Sequence, residues 1–322
     1  MSSETSKLVT VFGGSGFLGR HVVQELARRG YRVRVACRRP DLAGHLQPLG
    51  NVGQIHAVQA NLRYRWSIDR AVEGADAVVN LVAILFETGR QTFDAVQDFG
   101  ARAVAEAARA AGAPLVHISS IGADENSQAE YARTKGLGEK AVFETLPDAV
   151  IIRPSIIFGS GDGFFNKFAN MARFLPVLPL IGGGETKFQP VYVGDVAEAI
   201  ARAVDGEVAG GKIYEFGGPE VLSFRECLEK MLEVTDRKRW LVNLPFGLAR
   251  LEAQFLQLLP KPILTVDQVK LLENDNVVSA EAEADGRTLK GLGITPSTVD
   301  AILPTYLWRY REAGQFTANK PA

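Results

Sequence analysis

The sequence predicts an α/β protein: a doubly wound parallel sheet with a smaller, interleaved C-terminal lobe. Short β-branched runs alternate with helical patterns through the first half of the chain. The first strand is joined to the first helix by the turn Gly13-Gly14-Ser15-Gly16-Phe17-Leu18-Gly19. After Pro154 the alternation gives way to Gly- and Pro-rich punctuation at Gly159, Gly161, Gly163, Pro176, Pro179 and Gly182–Gly184, which marks the entry to a second lobe.

Taken in order, 8–12 reads as a buried strand, and Leu18, Val22, Val23 and Leu26 as one helical face ending at Gly30. Strands follow at 32–36, 55–59, 77–82, 115–119 and 149–153. The Ala-rich segment 95–111 and the segment 131–145 read as helices between the last three. The chain is expected back in the sheet at 189–193, followed by a helix through Val204, and again near 212–217. The expected organisation is therefore a dinucleotide-binding domain over 1–158 with return segments about 187–218. The smaller substrate or partner lobe takes 159–186 and 219–322.

Composition narrows the function classes. A chain of 322 residues is long enough to bury its own core without a metal or disulfide staple. The two cysteines, Cys37 and Cys227, have no C-x-x-C or Cys/His company, and the four histidines show no ligand spacing, so no metal site is expected and a reducing compartment is. A formal charge of −1 excludes a global pull toward nucleic acid. The first residues lack signal- or transit-peptide character, and no apolar run approaches the ~18 residues of a membrane span. The expected location is cytoplasmic, or peripheral at the inner membrane.

The glycine turn points to a dinucleotide. Glycines permit positive φ, let the backbone approach a pyrophosphate and let helix pack closely on strand, while the helix N-terminus offers N–H groups to the phosphates. This is the Rossmann-type arrangement, and Gly13, Gly14, Ser15, Gly16, Phe17, Leu18 and Gly19 are its candidate cofactor residues. The second strand ends in Arg38-Arg39, where an NAD-selective site usually carries a carboxylate for the ribose 2′-hydroxyl. Guanidinium groups there suit a 2′-phosphate, so NADP(H) is the expected cofactor, with NAD(H) the other one admitted. Asn61 and Leu62 are placed beside the adenine, and Leu81, Val82 and Ala83 along the cofactor path.

The candidate chemistry lies at Tyr131 and Lys135, which share a helix face at i and i+4. A tyrosine with an ordinary pKa near 10 needs a neighbouring cation to work as an acid/base near neutrality. With 7 tyrosines in the chain the spacing alone proves little, but it falls one helix after the strand end Ser119-Ser120.

Together the glycine turn, the Tyr131/Lys135 pair and the segment Gln189-Pro-Val-Tyr-Val-Gly-Asp195 resemble the extended short-chain dehydrogenase/reductase superfamily (NAD-dependent epimerase/dehydratase family) over nearly the whole chain. The resemblance implies that Tyr131 is the acid/base, that Lys135 lowers its pKa and holds the nicotinamide ribose, and that Ser119 or Ser120 polarises a substrate carbonyl. Pro154 and Ile156, with Tyr131 and Lys135, are further candidate cofactor-binding residues. The serine transfers ambiguously, and Gln97 stands where many relatives have asparagine. Arg153-Pro-Ser-Ile-Ile-Phe-Gly159, Phe164, Asn166 and the segments 189–193, 264–269 and 275–278 are similar to one atypical branch, which includes the NADPH-binding accessory subunit of respiratory complex I. That likeness implies two functions: an NAD(P)-dependent oxidoreductase or epimerase-like enzyme acting on a small molecule, or an NADPH-bound accessory or assembly protein that associates with complex I components.

Two further features complete the reading. Leu244, Leu248, Leu251, Phe255, Leu258 and Leu259 form an apolar helical face. Such a face most often packs into its own core, and otherwise meets a partner or a membrane surface, where the preceding Arg237-Lys-Arg-Trp240 would touch anionic headgroups. Asp195, at the start of a helical pattern, suits an N-cap.

Overall fold

The computed structural model describes residues 6–260 and 262–312. In chain order the first elements are β1 (Leu8–Phe12), α1 (Phe17–Arg28), β2 (Arg32–Cys37), β3 (Ile55–Gln59), α2 (Arg65–Val72), β4 (Ala77–Asn80), α3 (Phe99–Ala110), β5 (Leu115–Ile118), α4 (Glu130–Thr145) and β6 (Val150–Pro154). Then come β7 (Ile157–Phe158), α5 (Phe165–Phe174), β8 (Val177–Ile181), β9 (Lys187–Phe188), β10 (Val191–Tyr192), α6 (Val193–Val204) and β11 (Lys212–Phe216). The chain ends through β12 (Leu222–Ser223), α7 (Phe224–Val234), β13 (Trp240–Leu244), α8 (Phe246–Leu256), α9 (Val266–Leu271), α10 (Ala280–Ala284) and α11 (Val299–Leu307).

Seven strands form one sheet in the order β11-β6-β5-β4-β1-β2-β3, with β1 to β6 paired in parallel. β4 and β5 are buried along their whole length, as befits strands covered on both faces. Strand order reverses between β1 and β4, so the connections leaving their carboxyl ends diverge and open a crevice there. The chain divides into two units. The first runs to Arg153 and adds Val196–Glu215; the second comprises Pro154–Asp195 and the chain from Phe216.

The second unit has its own core, built on an aromatic cluster. The Phe164 ring meets Phe165 at 5.0 Å and Phe168 at 5.4 Å, both edge-to-face, and Phe168 meets Phe224 at 5.4 Å. Hydrogen bonds tie three of the sequence segments singled out above to one another. Ser155 Oγ donates to the Asn276 carbonyl at 2.8 Å, and the Gln189 side chain accepts from Val278 N and donates to Gly218 O, both at 2.9 Å.

Three expectations are corrected. Residues 189–193 do not rejoin the main sheet: Val191–Tyr192 pairs in parallel with Ile157–Phe158 as a separate two-stranded ribbon, and only 212–216 returns. Asp195 is no N-cap, since α6 already begins at Val193; its carboxylate accepts from Ser297 N at 2.7 Å and from Ser297 Oγ at 3.1 Å. The apolar face of α8 is not absorbed by the core. Ala249 and Ala253 are its buried residues, packed with Ile181 and Val269, while Leu248, Leu251 and Phe255 stay exposed. Small residues that let α8 approach α9 closely determine which side is buried, and a count of apolar positions misses that.

Candidate functional site

The cleft at the crevice end of the first unit has a volume of about 320 Å³. Gly13, Ser15, Gly16, Phe17, Leu18 and Gly19 line it, together with Arg38, Asn61 and Leu62 from the connections after β2 and β3 and Leu81, Val82 and Ala83 after β4. Gly13 has φ +77°, a conformation that disfavours any side chain. A Cβ on Gly19 would come within 2.3 Å of the Gly13 carbonyl, so helix and turn reach this proximity only with glycine. A Cβ on Gly14 would come within 3.0 to 3.3 Å of the Val35, Val23 and Val11 side chains.

α1 has no side-chain cap at Gly16 and no acidic residue in its first turn. Its positive end is therefore left to whatever enters the cleft, and the donor set suits a pyrophosphate. Arg38 lines the cleft and donates to Gln91 Oε1. Arg39 instead makes an exposed ion pair with Asp41 at 2.7 Å. The Asn61 side chain shapes its own turn by accepting from Arg63 N at 3.1 Å, and Asn80 Oδ1 accepts from Val82 N at 3.2 Å.

Sequence reasoning missed Arg63, Gln91 and Cys37, which also line this cleft. Arg63 sits two residues past Asn61 and was open to the same argument as Arg38. Gln91 lies in a loop without periodicity, and no sequence signal marked it.

The second cluster gathers where β5 ends and α4 begins. Ser120 makes a side-chain hydrogen bond with Tyr131, whose ring also meets Phe93 edge-to-face at 6.1 Å. Ser119 is buried, and its Oγ has no partner among the described residues. Of the two candidate serines, Ser120 is the one brought to the tyrosine. Burial raises the Tyr131 pKa, and the Ser120 bond pulls the other way.

One turn on, Lys135 is almost completely buried and donates from Nζ to the Ile118 carbonyl at 2.9 Å. Burial lowers its pKa to about 8, opposed by the Glu139 charge. Next in the strand, His117 is also buried; desolvation and the Lys135 charge push its pKa to about 3, so it is neutral, with Nδ1 3.2 Å from Asn80 Nδ2. Gln97, on a π-helical turn (Asp94–Asp98), reaches Thr134 Oγ1 at 3.4 Å; such turns are frequent at functional sites.

Tyr131, Lys135 and Glu139 follow at four-residue steps on one face of α4. Glu139 is held by two hydrogen bonds from Arg153 on β6, at 2.8 and 2.6 Å, and Glu215 on β11 lies 3.7 Å from the same guanidinium. Burial alone would lower the Arg153 pKa, but its bonds to Glu139 and both carboxylate charges raise it. This ion group anchors α4 to the sheet and fixes where Tyr131 and Lys135 sit. Pro154 closes β6, and Ile156 packs against the second unit's apolar core.

The profile of the NAD dependent epimerase/dehydratase family matches residues 9–217, which span the glycine turn, the Tyr131/Lys135 helix and the returning strand. The chain belongs to this family. Among epimerase/dehydratase relatives, the mitochondrial NADH dehydrogenase [ubiquinone] 1 alpha subcomplex subunit 9 of Arabidopsis thaliana is 35% identical, over 97% of this chain and 80% of that protein. A protein named ceramide reductase from Caulobacter vibrioides is also 35% identical, over 76% of each. The same fold occurs in an NADPH-dependent quinone oxidoreductase from Escherichia coli, solved with NADPH, at a TM-score of 0.70 and 18% identity, over 91% of this chain and 97% of that one. The family is NAD(P)-binding. Among the described residues no helix is long and apolar enough to cross a membrane, and no cluster of metal-ligating side chains occurs.

Proposed function

We propose that the protein binds NADP(H) in preference to NAD(H) and acts as an oxidoreductase or epimerase-like enzyme, with Tyr131 as its acid/base. The hydrogen-bonded Ser120–Tyr131 pair at the end of β5, with Lys135 one turn further along the same helix, carries this reading. When bound, the dinucleotide supplies hydride donor and acceptor chemistry. In the reducing direction Tyr131 delivers the phenolic proton to a substrate carbonyl oxygen, and Ser120 holds that oxygen and the phenol in line. Lys135 offers its ammonium to the ribose hydroxyls, and the uncapped end of α1 holds the pyrophosphate.

Replacing Tyr131 with phenylalanine removes the proton but keeps the ring. Carbonyl-dependent NADPH oxidation should fall by at least about 10²-fold, with NADPH affinity little changed. Ceramide-type lipids belong in the substrate panel because one relative is a ceramide reductase. Unchanged turnover in Tyr131→Phe would remove the assignment.

NADP(H) preference rests on Arg38, which lines the cleft where a ribose 2′-substituent would lie, with Arg63 as a second cation. Arg38→Ala should weaken NADPH binding about 10-fold, the worth of one charge-assisted bond, and leave NADH nearly unaffected. Equal losses for both dinucleotides would disprove a role in selectivity.

The second reading is an accessory or assembly protein of respiratory complex I that keeps NADPH as a structural ligand. Two observations favour it: Lys135 Nζ is engaged by the Ile118 carbonyl, and burial raises the Tyr131 pKa, away from what proton transfer near neutrality requires. The names of the complex I relatives support the same partner and place those proteins in mitochondria, so the expected cytoplasmic location draws no support from them. Mass analysis of dinucleotide released from dialysed, denatured protein separates the readings. About one NADP(H) per chain without carbonyl-dependent oxidation indicates the accessory role, and an empty, rapidly exchanging site indicates a co-substrate.

A further inference from the structure

The second unit contains an open cleft of about 920 Å³ between the end of α5, α7 and the start of β13. Arg225, Arg237, Lys238 and Arg239 line it, against one carboxylate, Glu229. Arg237 donates to the Tyr310 carbonyl at 2.7 Å and lies 3.8 Å from Glu312. The other three cations have no ion-pair partner among the described residues. Arg239 donates to the carbonyls of Ala172 and Lys238, each at 2.7 Å, and Arg225 to the carbonyl of Gly183 at 3.3 Å. Carbonyl acceptors fix a guanidinium in place without cancelling its charge, so the cleft is strongly cationic.

Its rim is apolar and exposed. Trp240 is 75% and Phe174 72% exposed, and Leu175 stands between Phe174 and Pro176 in the same wall. Strand alternation puts Trp240 and the half-exposed Val242 on one face of β13. After Pro245 the chain enters α8, which turns Ala249 and Ala253 inward and leaves Leu248, Leu251 and Phe255 outside, at the three- and four-residue steps of one stripe.

We propose that this cleft seats the phosphate headgroup of an anionic phospholipid at a bilayer surface. Trp240 and Phe174 lie at the headgroup–acyl boundary, and the α8 stripe adds apolar contact. The charge complements anionic headgroups, and cations combined with exposed Trp, Phe and Leu side chains match the chemistry of the lipid interface. A phosphate free in water would satisfy the cations and leave the aromatic rim uncovered. The inference is independent of whether the dinucleotide is turned over, because none of these residues lines the dinucleotide cleft.

The test is co-sedimentation of the full-length protein with phosphatidylcholine vesicles, with and without phosphatidylglycerol. Binding is expected only with phosphatidylglycerol and should be released as salt is raised. Lys238→Gln should lower the partition coefficient about five-fold, the worth of one cation at an anionic surface. Trp240→Ala should weaken binding at every salt concentration, and Glu229→Gln should strengthen it. All three side chains are exposed, and an unchanged circular dichroism spectrum and melting temperature verify the fold of each variant. Equal binding to pure phosphatidylcholine, or none to either vesicle, overturns the proposal. So does Lys238-dependent binding of soluble glycerol phosphate without vesicle binding, which would make the cleft a site for a free anion. A dimer that dissociates in Trp240→Ala would likewise overturn it, by making this face a contact between two copies.

Discussion

Replacing Lys135 with methionine is expected to remove a pH-dependent stability step that the wild-type protein shows between pH 8 and 10.5. Burial lowers the lysine pKa from 10.5 to about 8, so in that window the unfolded chain binds a proton that the folded chain does not. Stability therefore rises with pH there. Below pH 8 the folded state bears the full cost of a buried ammonium, about 3 kcal/mol for a shift of this size. It is relieved as pH climbs through 8 and is gone by 10.5. Methionine fills a similar volume without charge, although it leaves the Ile118 carbonyl without its donor.

Relative to wild type, the variant should thus be at its best at pH 7 and lose about 3 kcal/mol of that relative standing by pH 10.5. Urea unfolding at three pH values checks this. A stability difference that stays constant with pH would show that Lys135 is not a buried cation. The same substitution should weaken NADPH binding, because it removes the group proposed to hold the ribose. A residue kept at a cost to stability is what a ligand-binding role predicts.

Arg153→Leu should act in the opposite direction and destabilise the fold by about 3–5 kcal/mol at pH 7, as expected when one partner of a buried ion group is removed. Glu139 and Glu215 are both buried and would lose the guanidinium they share. Adding Glu139→Gln and Glu215→Gln to Arg153→Leu should recover much of the loss at neutral pH. If the single variant unfolds like wild type in urea, the group does not anchor α4. Because Arg153 holds the helix that carries Tyr131 and Lys135, NADPH binding should weaken in the single variant and recover in the triple one.

The first unit was legible in the sequence almost element by element, for physical reasons that particular residues show. Strands 8–12 and 77–80 are short runs rich in β-branched and apolar residues, and a strand covered on both faces needs little more than that. The glycine turn could be read because only glycine tolerates the Gly13 φ and the approach of Gly19 to the Gly13 carbonyl. Helix α4 declared itself through a long helical pattern, and the Tyr131/Lys135 spacing followed from helical geometry.

The second unit was less legible because four of its strands among the described residues have only two residues and its pairings join distant segments. Two-residue strands such as Ile157–Phe158 and Val191–Tyr192 carry no periodicity, and their pairing depends on contacts 34 residues apart (157↔191). Helix starts were nevertheless encoded locally. Ser223 with Glu226 and Thr265 with Gln268 form capping boxes that open α7 and α9.

By itself the sequence determined the parallel-sheet fold, the glycine turn and the shared helix face of Tyr131 and Lys135, because backbone sterics and helical periodicity act over a few residues. Tertiary structure chose Ser120 over Ser119 as the partner of Tyr131, gave Arg38 to the cleft and Arg39 to Asp41, and buried the Lys135 ammonium against Ile118. It also left the large apolar residues of α8 outside. Apart from the Arg39–Asp41 pair, which joins residues two positions apart, these outcomes depend on desolvation and on partners more distant in the chain, which neighbouring residues do not set.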